Sequence, residues 1–212
     1  MDDHAAVGSP APFHRTERST IKRHPERGSF DRALAHAILD EGRVAHVGMT
    51  TASGPVVVPM VYARHADVLY LHGSIASRLL RGLGEGLPLC LTVTILDGLV
   101  LARSAFYHSA NYRSVMVHGV AEVVTDRDEQ HLASRALVDH VSPGRARLVR
   151  PPSDKELRAT AFLRLPLEEA SVKSRSGPPG DAAEDLAPDS PWADVWTGVV
   201  PLSLVAGPPI TR

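Results

Sequence analysis

Short apolar runs rich in β-branched residues recur along residues 43–124, and residues with turn chemistry separate them. Residues 43–50 and 55–62 flank Ser53 and Gly54, which predicts a β-hairpin. About six strands, with turn signals about every 8–12 residues, favour a small closed β-barrel over a parallel α/β sheet. Further strands are expected at residues 68–72, 87–96, 99–105, 112–124, 160–165 and 170–173, with a turn at Asp97 and Gly98.

Helical spacing of apolar residues appears in segments that lie between or beside the predicted strands. Residues 29–42 carry an apolar stripe that ends at Gly42, and residues 74–83 predict a short helix directly after a strand. Two more helices are predicted, one that ends near residue 140 and a shorter one that follows residue 153. The expected caps of these helices are Ser29, Thr125 and Ser153. The predicted fold is therefore mainly β with peripheral helices.

The composition excludes several classes of protein. The 212 residues include 23 basic and 24 acidic side chains, so no positive surplus favours nucleic acid or a membrane surface. No apolar run approaches the roughly 20 residues that span a bilayer, and the N-terminus lacks the apolar segment of a secretory signal. The single Cys90 excludes a disulfide within one chain, which fits a reducing compartment. We expect a cytoplasmic protein without nucleic-acid or membrane partners.

Composition also predicts four regions along the chain. Residues 1–20 are rich in Pro, His and charge, which predicts a flexible N-terminal segment, and residues 21–176 hold the β-barrel domain. Residues 177–191 are acidic and rich in Gly and Pro, as in a mobile arm. Residues 192–212 form a largely apolar tail that is expected to pack on the barrel or on a second copy of the chain.

One candidate site lies where a predicted strand meets a short basic helix. His72 and Ser74 stand at the end of the strand, and Ser77 and Arg78 follow in the helix. Hydroxyl groups, a guanidinium and free backbone amides at such a junction suit a phosphate group. A capped helix with a solvated arginine is the structural alternative.

Two further segments carry chemistry that fits a flat ligand. Pro59 lies inside an otherwise strong strand, which places that strand at a sheet edge or a bulge, where free backbone groups suit an isoalloxazine ring. Residues 108–114 are polar and precede another strand, and their Tyr112 and Arg113 can stack on or pair with a ligand. A simple edge strand and a polar connection are the alternatives. Together the three segments favour a phosphorylated, flat aromatic ligand.

Other kinds of site lack their sequence signals. The 11 histidines include no H-x-x-x-H pair on a predicted helix and accompany no cysteine cluster, so no metal site is expected. The sequence has no G-x-S-x-G elbow of a hydrolase and no G-x-G-x-x-G turn of a dinucleotide-binding fold.

The quoted segments resemble the pyridoxamine 5'-phosphate oxidase-like superfamily, the FMN-binding split barrels. Within it, the chain is similar to the flavin-nucleotide-binding proteins related to nitroimidazole-resistance proteins. The resemblance rests on residues 43–62, 69–80, 89–124 and 195–202. It implies a six-stranded split β-barrel that forms a homodimer, with one FMN in each groove between subunits. It also implies an oxidoreductase that exchanges two electrons with a small molecule through FMN.

The resemblance further implies roles for individual residues. Ser77 and Arg78 would hold the phosphate, and His72 and Ser74 would lie beside the ribityl chain or the ring. His72 would be the catalytic candidate, because it is the nearby group that titrates near neutrality. The ring edge would be lined by Val58, Pro59, Met60, Val61 and Tyr62. The second motif corresponds to Ser109, Asn111, Tyr112 and Arg113, and the neighbouring subunit would supply Lys173, Arg175 and Trp196.

The chain also departs from authentic pyridoxamine 5'-phosphate oxidases. It lacks their basic substrate-phosphate pattern and their arginine-rich C-terminus, so the vitamin B6 reaction is not implied. Two alternatives stay open: a binding or sensing module that holds FMN or haem without turnover, and a reductase that uses a deazaflavin. Haem would take a histidine as its axial ligand.

Overall fold

The computed structural model describes residues 11–211, which form 11 strands and five α-helices. The strands are β1 (Gly28–Ser29), β2 (Ala45–Thr51), β3 (Gly54–Met60), β4 (Tyr62–His65), β5 (Val68–Ser74), β6 (Pro88–Leu101), β7 (Ser109–Val120), β8 (Glu122–Val123), β9 (Thr160–Pro166), β10 (Glu169–Arg175) and β11 (Gly198–Pro201). The helices are α1 (Arg32–Glu41), α2 (Arg78–Gly84), α3 (Arg127–Val141), α4 (Asp154–Ala159) and α5 (Ala183–Leu186). The prediction of a mainly β fold with peripheral helices is confirmed.

The strands form two sheets. A seven-stranded sheet has the order β1-β10-β7-β6-β2-β3, with β11 added to β6, and a four-stranded sheet has the order β4-β5-β9-β8. The chain also divides into two compact units. The first unit holds residues 11–94 and 114–173, and the second holds residues 95–113 and 174–211. Strands β6 and β7 continue from one unit into the other.

The core of the first unit follows from the alternation of side chains along its strands. In β2, Ala45, Val47 and Met49 are buried, whereas His46 and Thr50 are exposed, as expected for a strand with one covered face. A second buried cluster packs α3 and α4 against the four-stranded sheet. Its members include Tyr70, Phe162, Ala133, Leu137 and Leu157. Burying one such large side chain stabilises the fold by about 1.5–3 kcal/mol, so this cluster fixes β5 and β9 in place.

Two helices begin one or more residues later than the sequence predicts. Helix α1 is capped by Asp31, not Ser29, because the Asp31 carboxylate accepts a hydrogen bond from the Leu34 amide at 2.7 Å. Asp126, not Thr125, caps α3 in the same way, through the Glu129 amide. The capping box at the start of α4 is confirmed, with Ser153 at the N-cap.

The predicted turn at Asp97 and Gly98 is wrong. Strand β6 runs through both residues as one strand of 14 residues. Gly98 pairs with Pro201 of β11, and a Cβ atom at this position would lie 2.9 Å from Val199 Cγ1. The glycine therefore allows β11 to approach closely and does not mark a turn. The strand expected at residues 112–124 is likewise divided, because β8 leaves the first sheet and pairs with β9.

The two terminal regions carry defined contacts where the structure describes them. A flexible segment is predicted for residues 1–20, of which residues 1–10 lie outside the described part. Within residues 11–20, Phe13 is buried and its amide donates a hydrogen bond to Phe30 O at 2.8 Å. In the second unit, Asp181 accepts a hydrogen bond from the Arg103 amide at 2.8 Å within the predicted arm, whose mobility stays a prediction. No helix among residues 11–211 has the length and apolar character that crossing a bilayer requires.

Candidate functional site

Strand β3 lies at the edge of the seven-stranded sheet. It pairs with β2 on one side, where Pro59 lies opposite His46. On its other side it is the last strand of the sheet. The prediction that Pro59 belongs to an edge strand is therefore confirmed. The outward backbone groups of β3 are available to a ligand or to another chain. Val57 on this strand is 63% exposed, which is unusual for a large apolar side chain in a strand.

The chain passes from the first sheet to the second just after β3. Tyr62 opens β4 and pairs with Leu71 of β5, so Val61 precedes and His72 follows the last pair at this end of the ladder. The Tyr62 side chain is fully buried, and its hydroxyl donates to the carbonyl oxygens of Leu39 and Gly42. Tyr62 can therefore offer a ligand its backbone, but not its phenol.

Beyond His72, β5 leads directly into α2. The helix begins at Arg78, not at Ser74 as predicted, because Ser74 still pairs with Thr160 in the ladder between β5 and β9. Ser74 Oγ accepts a hydrogen bond from the Ala76 amide at 3.1 Å, and Ser77 Oγ caps α2 through the Leu80 amide. A hydroxyl that accepts in this way keeps its proton for donation to a ligand.

Helix α2 lies close against the end of β5. A Cβ atom at Gly73 would approach Leu80 Cδ1 to 2.7 Å, so Leu80 from the first turn of α2 packs directly on this residue of β5. This contact holds the first turn of α2 beside His72. Arg78 in that turn is exposed, and its guanidinium has no partner among the described residues. The junction thus presents one unpaired cation and two hydroxyl groups.

His72 has the properties of an available neutral imidazole. Its ring stacks on Phe162, with 6.4 Å between the ring centroids, and desolvation lowers the pKa of His72. One side of the residue is nevertheless exposed, and within the described residues its ring nitrogens make no hydrogen bond. A neutral imidazole with free nitrogens can accept a proton or coordinate a metal ion. Sequence reasoning missed Phe162, because it comes from the distant strand β9.

The remaining predicted site residues lie in other places. In the second unit, Arg175 donates to Asn111 Oδ1, Asn111 Nδ2 donates to Gly177 O, and Arg113 pairs with Asp97 at 2.7 Å. Ser109 and Tyr112 flank Asn111 on β7, and Trp196 is 62% exposed beside Gly198. Lys173 belongs to the first unit, where its ammonium donates to Arg23 O at 3.1 Å. Asn111, Arg113 and Arg175 thus stabilise the local fold of the second unit.

Comparison with known proteins gives matches over most of the chain. The family model described as pyridoxamine 5'-phosphate oxidase matches residues 31–174. The flavocytochrome Anf3 from Azotobacter vinelandii is 40% identical, with a TM-score of 0.84 over 93% of this chain and 89% of that chain. The FAD and haem binding protein from Mycobacterium smegmatis is 39% identical, with a TM-score of 0.82 over 88% of this chain and 89% of that chain.

A more distant structure shares the fold. A putative 5-nitroimidazole antibiotic resistance protein from Bacteroides thetaiotaomicron is 22% identical, with a TM-score of 0.56 over 68% of this chain and 83% of that chain. None of the curated proteins compared with the chain matches it. The resemblance stated from the sequence is confirmed by the family model and by the two structures of about 40% identity. The chain belongs to the pyridoxamine 5'-phosphate oxidase family.

Proposed function

We propose that the protein binds a flavin nucleotide and a haem, and that it acts as a redox protein that passes electrons between them. One observation carries the proposal: two proteins of 40% and 39% identity, matched over most of their length, are a flavocytochrome and an FAD and haem binding protein. The junction of β3, β5 and α2 adds the chemistry that both cofactors require. The deazaflavin alternative has no comparable support.

The flavin would lie along the free edge of β3 and reach the start of α2. Arg78 is the residue we assign to a flavin phosphate, because its guanidinium is exposed and unpaired among the described residues. Ser74 and Ser77 keep hydroxyl protons for the same anion. The backbone groups that β3 leaves unpaired at the sheet edge would face the isoalloxazine edge, and Pro59 offers no N–H donor there.

His72 is the residue that would hold the haem iron, through an imidazole nitrogen. Iron needs an imidazole nitrogen that is neutral, unbonded and accessible, and His72 has all three properties. His118 also has a lowered pKa, but its Nε2 is buried without a hydrogen-bond partner, so iron cannot reach it without a rearrangement. Val61 and Ile75, which are 36% and 55% exposed, give His72 apolar neighbours that suit a porphyrin.

The chain itself would bind, orient and insulate the two cofactors. Flavin exchanges one or two electrons and haem iron exchanges one, so the pair can link two-electron and one-electron chemistry. Phe162 fixes the plane of the His72 ring by stacking, and the cluster around Tyr70 holds Phe162. A lowered pKa keeps His72 unprotonated at neutral pH, as coordination requires. The FMN form expected from the sequence is the runner-up to FAD.

Identification of the cofactors in the purified protein tests this proposal. The released flavin is separated by chromatography, which distinguishes FAD from FMN, and haem is quantified as its pyridine complex. We expect close to one flavin and one haem per chain after reconstitution with both. A protein that retains flavin alone would support the expected FMN-type oxidoreductase without haem. A protein that binds neither cofactor would contradict the proposal.

Turnover distinguishes a redox enzyme from a sensing module. When light reduces the bound flavin with EDTA as the electron donor, an enzyme passes those electrons on to an added quinone or nitro compound over many cycles of reduction and reoxidation. A sensing module keeps its electrons or releases them once. We expect repeated cycles.

A further inference from the structure

Residues 16–23, which we name the N-terminal strap, lie over a small cavity on the first unit. The cavity has a volume of about 240 Å³. Its floor comes from β6, β7 and β10, through Thr92, Ser114, Met116, Ser171 and Lys173. Its wall comes from strap residues 18–23. This cavity shares no residue with the junction of β3, β5 and α2.

Positive charge dominates the lining of the cavity. Lys22 and Arg23 from the strap and Lys173 from β10 line it, and none of its described lining residues is acidic. The side chains of Lys22 and Arg23 have no partner among the described residues. The Lys173 ammonium donates one of its three N–H groups to Arg23 O at 3.1 Å, and its other two N–H groups are available to a ligand. Lys22 also borders the adjoining cleft that Glu17 and Glu169 line, whereas Arg23 and Lys173 do not. Cations that share a cavity with no carboxylate in its described lining attract an anion.

Arg18 also lines the cavity, but its charge is neutralised elsewhere. Its guanidinium donates to both carboxylate oxygens of Glu169, and the shortest distance is 2.6 Å from Nη2 to Oε2. Thr16 Oγ1 donates to the same carboxylate. Glu169 therefore compensates Arg18, and the other three cations form no ion pair among the described residues.

Two hydroxyl groups complete the lining as free donors. Ser171 is 6% exposed, and its hydroxyl makes no hydrogen bond with the described residues. Thr92 Oγ1 has only a 4.0 Å contact with Cys90 Sγ. Ser114, in contrast, donates to Lys173 O at 3.0 Å. Ser171 Oγ is not among the fully enclosed side-chain atoms that lack a partner, so it is open to the cavity, where water or a ligand can bond it.

We infer that this cavity binds a phosphate group, at a site separate from that of the flavin. A phosphate dianion offers several acceptor oxygens, which match the ammonium, guanidinium and hydroxyl donors that converge here. The volume admits a phosphate with a small attached group, so free phosphate and the phosphate end of a nucleotide are both possible sources. The inference does not depend on the flavin or the haem.

Titration calorimetry of the purified protein with inorganic phosphate and with ADP tests this inference. We expect saturable phosphate binding with a Kd on the order of 1 mM or lower. Lys22→Gln and Ser171→Ala should each weaken it roughly 10-fold, since each removes a donor to the anion. Lys22 makes no structural contact, so its variant should fold normally. Lys155→Gln is the matched control, because exposed Lys155 on α4 does not line the cavity.

The arms of the experiment separate the possible outcomes. If ADP binds more tightly than phosphate, and if Lys22→Gln and Ser171→Ala both lose this binding, the ligand is a nucleotide. If ADP and phosphate bind with equal affinity, the ligand is free phosphate. Absence of saturable phosphate binding, or equal weakening by Lys155→Gln, would overturn the inference. The flavin content of Lys22→Gln and Ser171→Ala should equal that of the wild type. If these variants lose flavin to the same extent as they lose phosphate binding, the two ligands do not occupy separate sites. If the protein holds no flavin at all, the proposed function fails while the phosphate titration still decides this inference.

Discussion

Tyr62 pairs with Leu71, and this one pair sets the position of the candidate site. It is the last pair of the ladder between β4 and β5, so Val61 and His72 both adjoin this end of the ladder. The Tyr62 side chain, buried in the core and hydrogen-bonded to α1 through Leu39 O, anchors the pair. The site is therefore attached to the buried core of the first unit.

Replacement of Arg78 by alanine should weaken flavin binding much more than replacement of Arg81. In our assignment Arg78 faces the phosphate, whereas Arg81 lies about 300° further around α2. A charge-assisted hydrogen bond to phosphate contributes about 1.5–3 kcal/mol, or roughly 10- to 100-fold in affinity. Fluorescence titration of the two variants with flavin measures the difference. Equal losses in both would refute the role of Arg78.

Gly98→Ala should destabilise the second unit. The added methyl group would meet Val199 Cγ1 at 2.9 Å and Val200 O at 3.0 Å, so β11 must move away from β6. Overpacking of this kind costs about 1–3 kcal/mol. Gly180→Ala is the control, since no atom lies within 4 Å of its Cβ position. Urea unfolding compares the free energies, and an unchanged midpoint for Gly98→Ala would mean that β11 is not held against β6.

The Arg18–Glu169 pair should make stability depend on acid pH. Hydrogen bonds from Arg18 lower the pKa of Glu169 to about 2, against an ordinary value of 4.5. Because the folded pKa is lower, the stabilisation is complete above about pH 4.5 and is lost as the pH falls towards 2. Arg18 is 54% exposed, so screening limits the contribution to about 1 kcal/mol.

Glu169→Gln tests this pH dependence. At pH 7 the variant should be less stable than the wild type by about 1 kcal/mol, and the gap should close between pH 4.5 and 2. Denaturant unfolding at several pH values measures it. A gap that stays constant down to pH 2 would show that the carboxylate charge is not responsible.

The exposed apolar side chains lead us to expect a homodimer. Val57 on the edge strand is 63% exposed, and Leu204 in the C-terminal tail is 89% exposed. Val57→Glu should shift the protein towards monomers in sedimentation velocity, because a charge at the apolar centre of an interface is costly. Leu148→Glu, on another exposed apolar side chain, is the control. A wild-type protein that is monomeric at micromolar concentration would exclude the dimer.

The sequence predicts those features whose causes lie close together along the chain. The hairpin of β2 and β3, the capping box at Ser153 and the edge position of Pro59 each depend on residues within a few positions. The start of α2 and the continuity of β6 depend on distant pairing, with Thr160 in one case and Pro201 in the other. No local pattern contains that information.

The same distinction applies to the candidate sites. His72, Ser77 and Arg78 follow each other in sequence, so their chemistry was visible as a motif. The phosphate cavity brings together residues from the strap, β6, β7 and β10. None of these segments alone carries a recognisable phosphate-binding motif in the sequence. The signals of the cavity in the sequence are Ser171 and Lys173, which alternate on one face of β10, and the basic strap residues Lys22 and Arg23.

The absorption spectrum of a His72→Ala variant tests the central claim most directly. His65→Ala is the matched control, since His65 is an exposed histidine at the other end of the β4–β5 ladder. After reconstitution with flavin and haem, we predict that the wild type and His65→Ala show both flavin bands and a Soret band. His72→Ala should keep the flavin bands and lose the Soret band. A His72→Ala protein with an unchanged Soret band, or a wild-type protein with neither signal, would contradict the account.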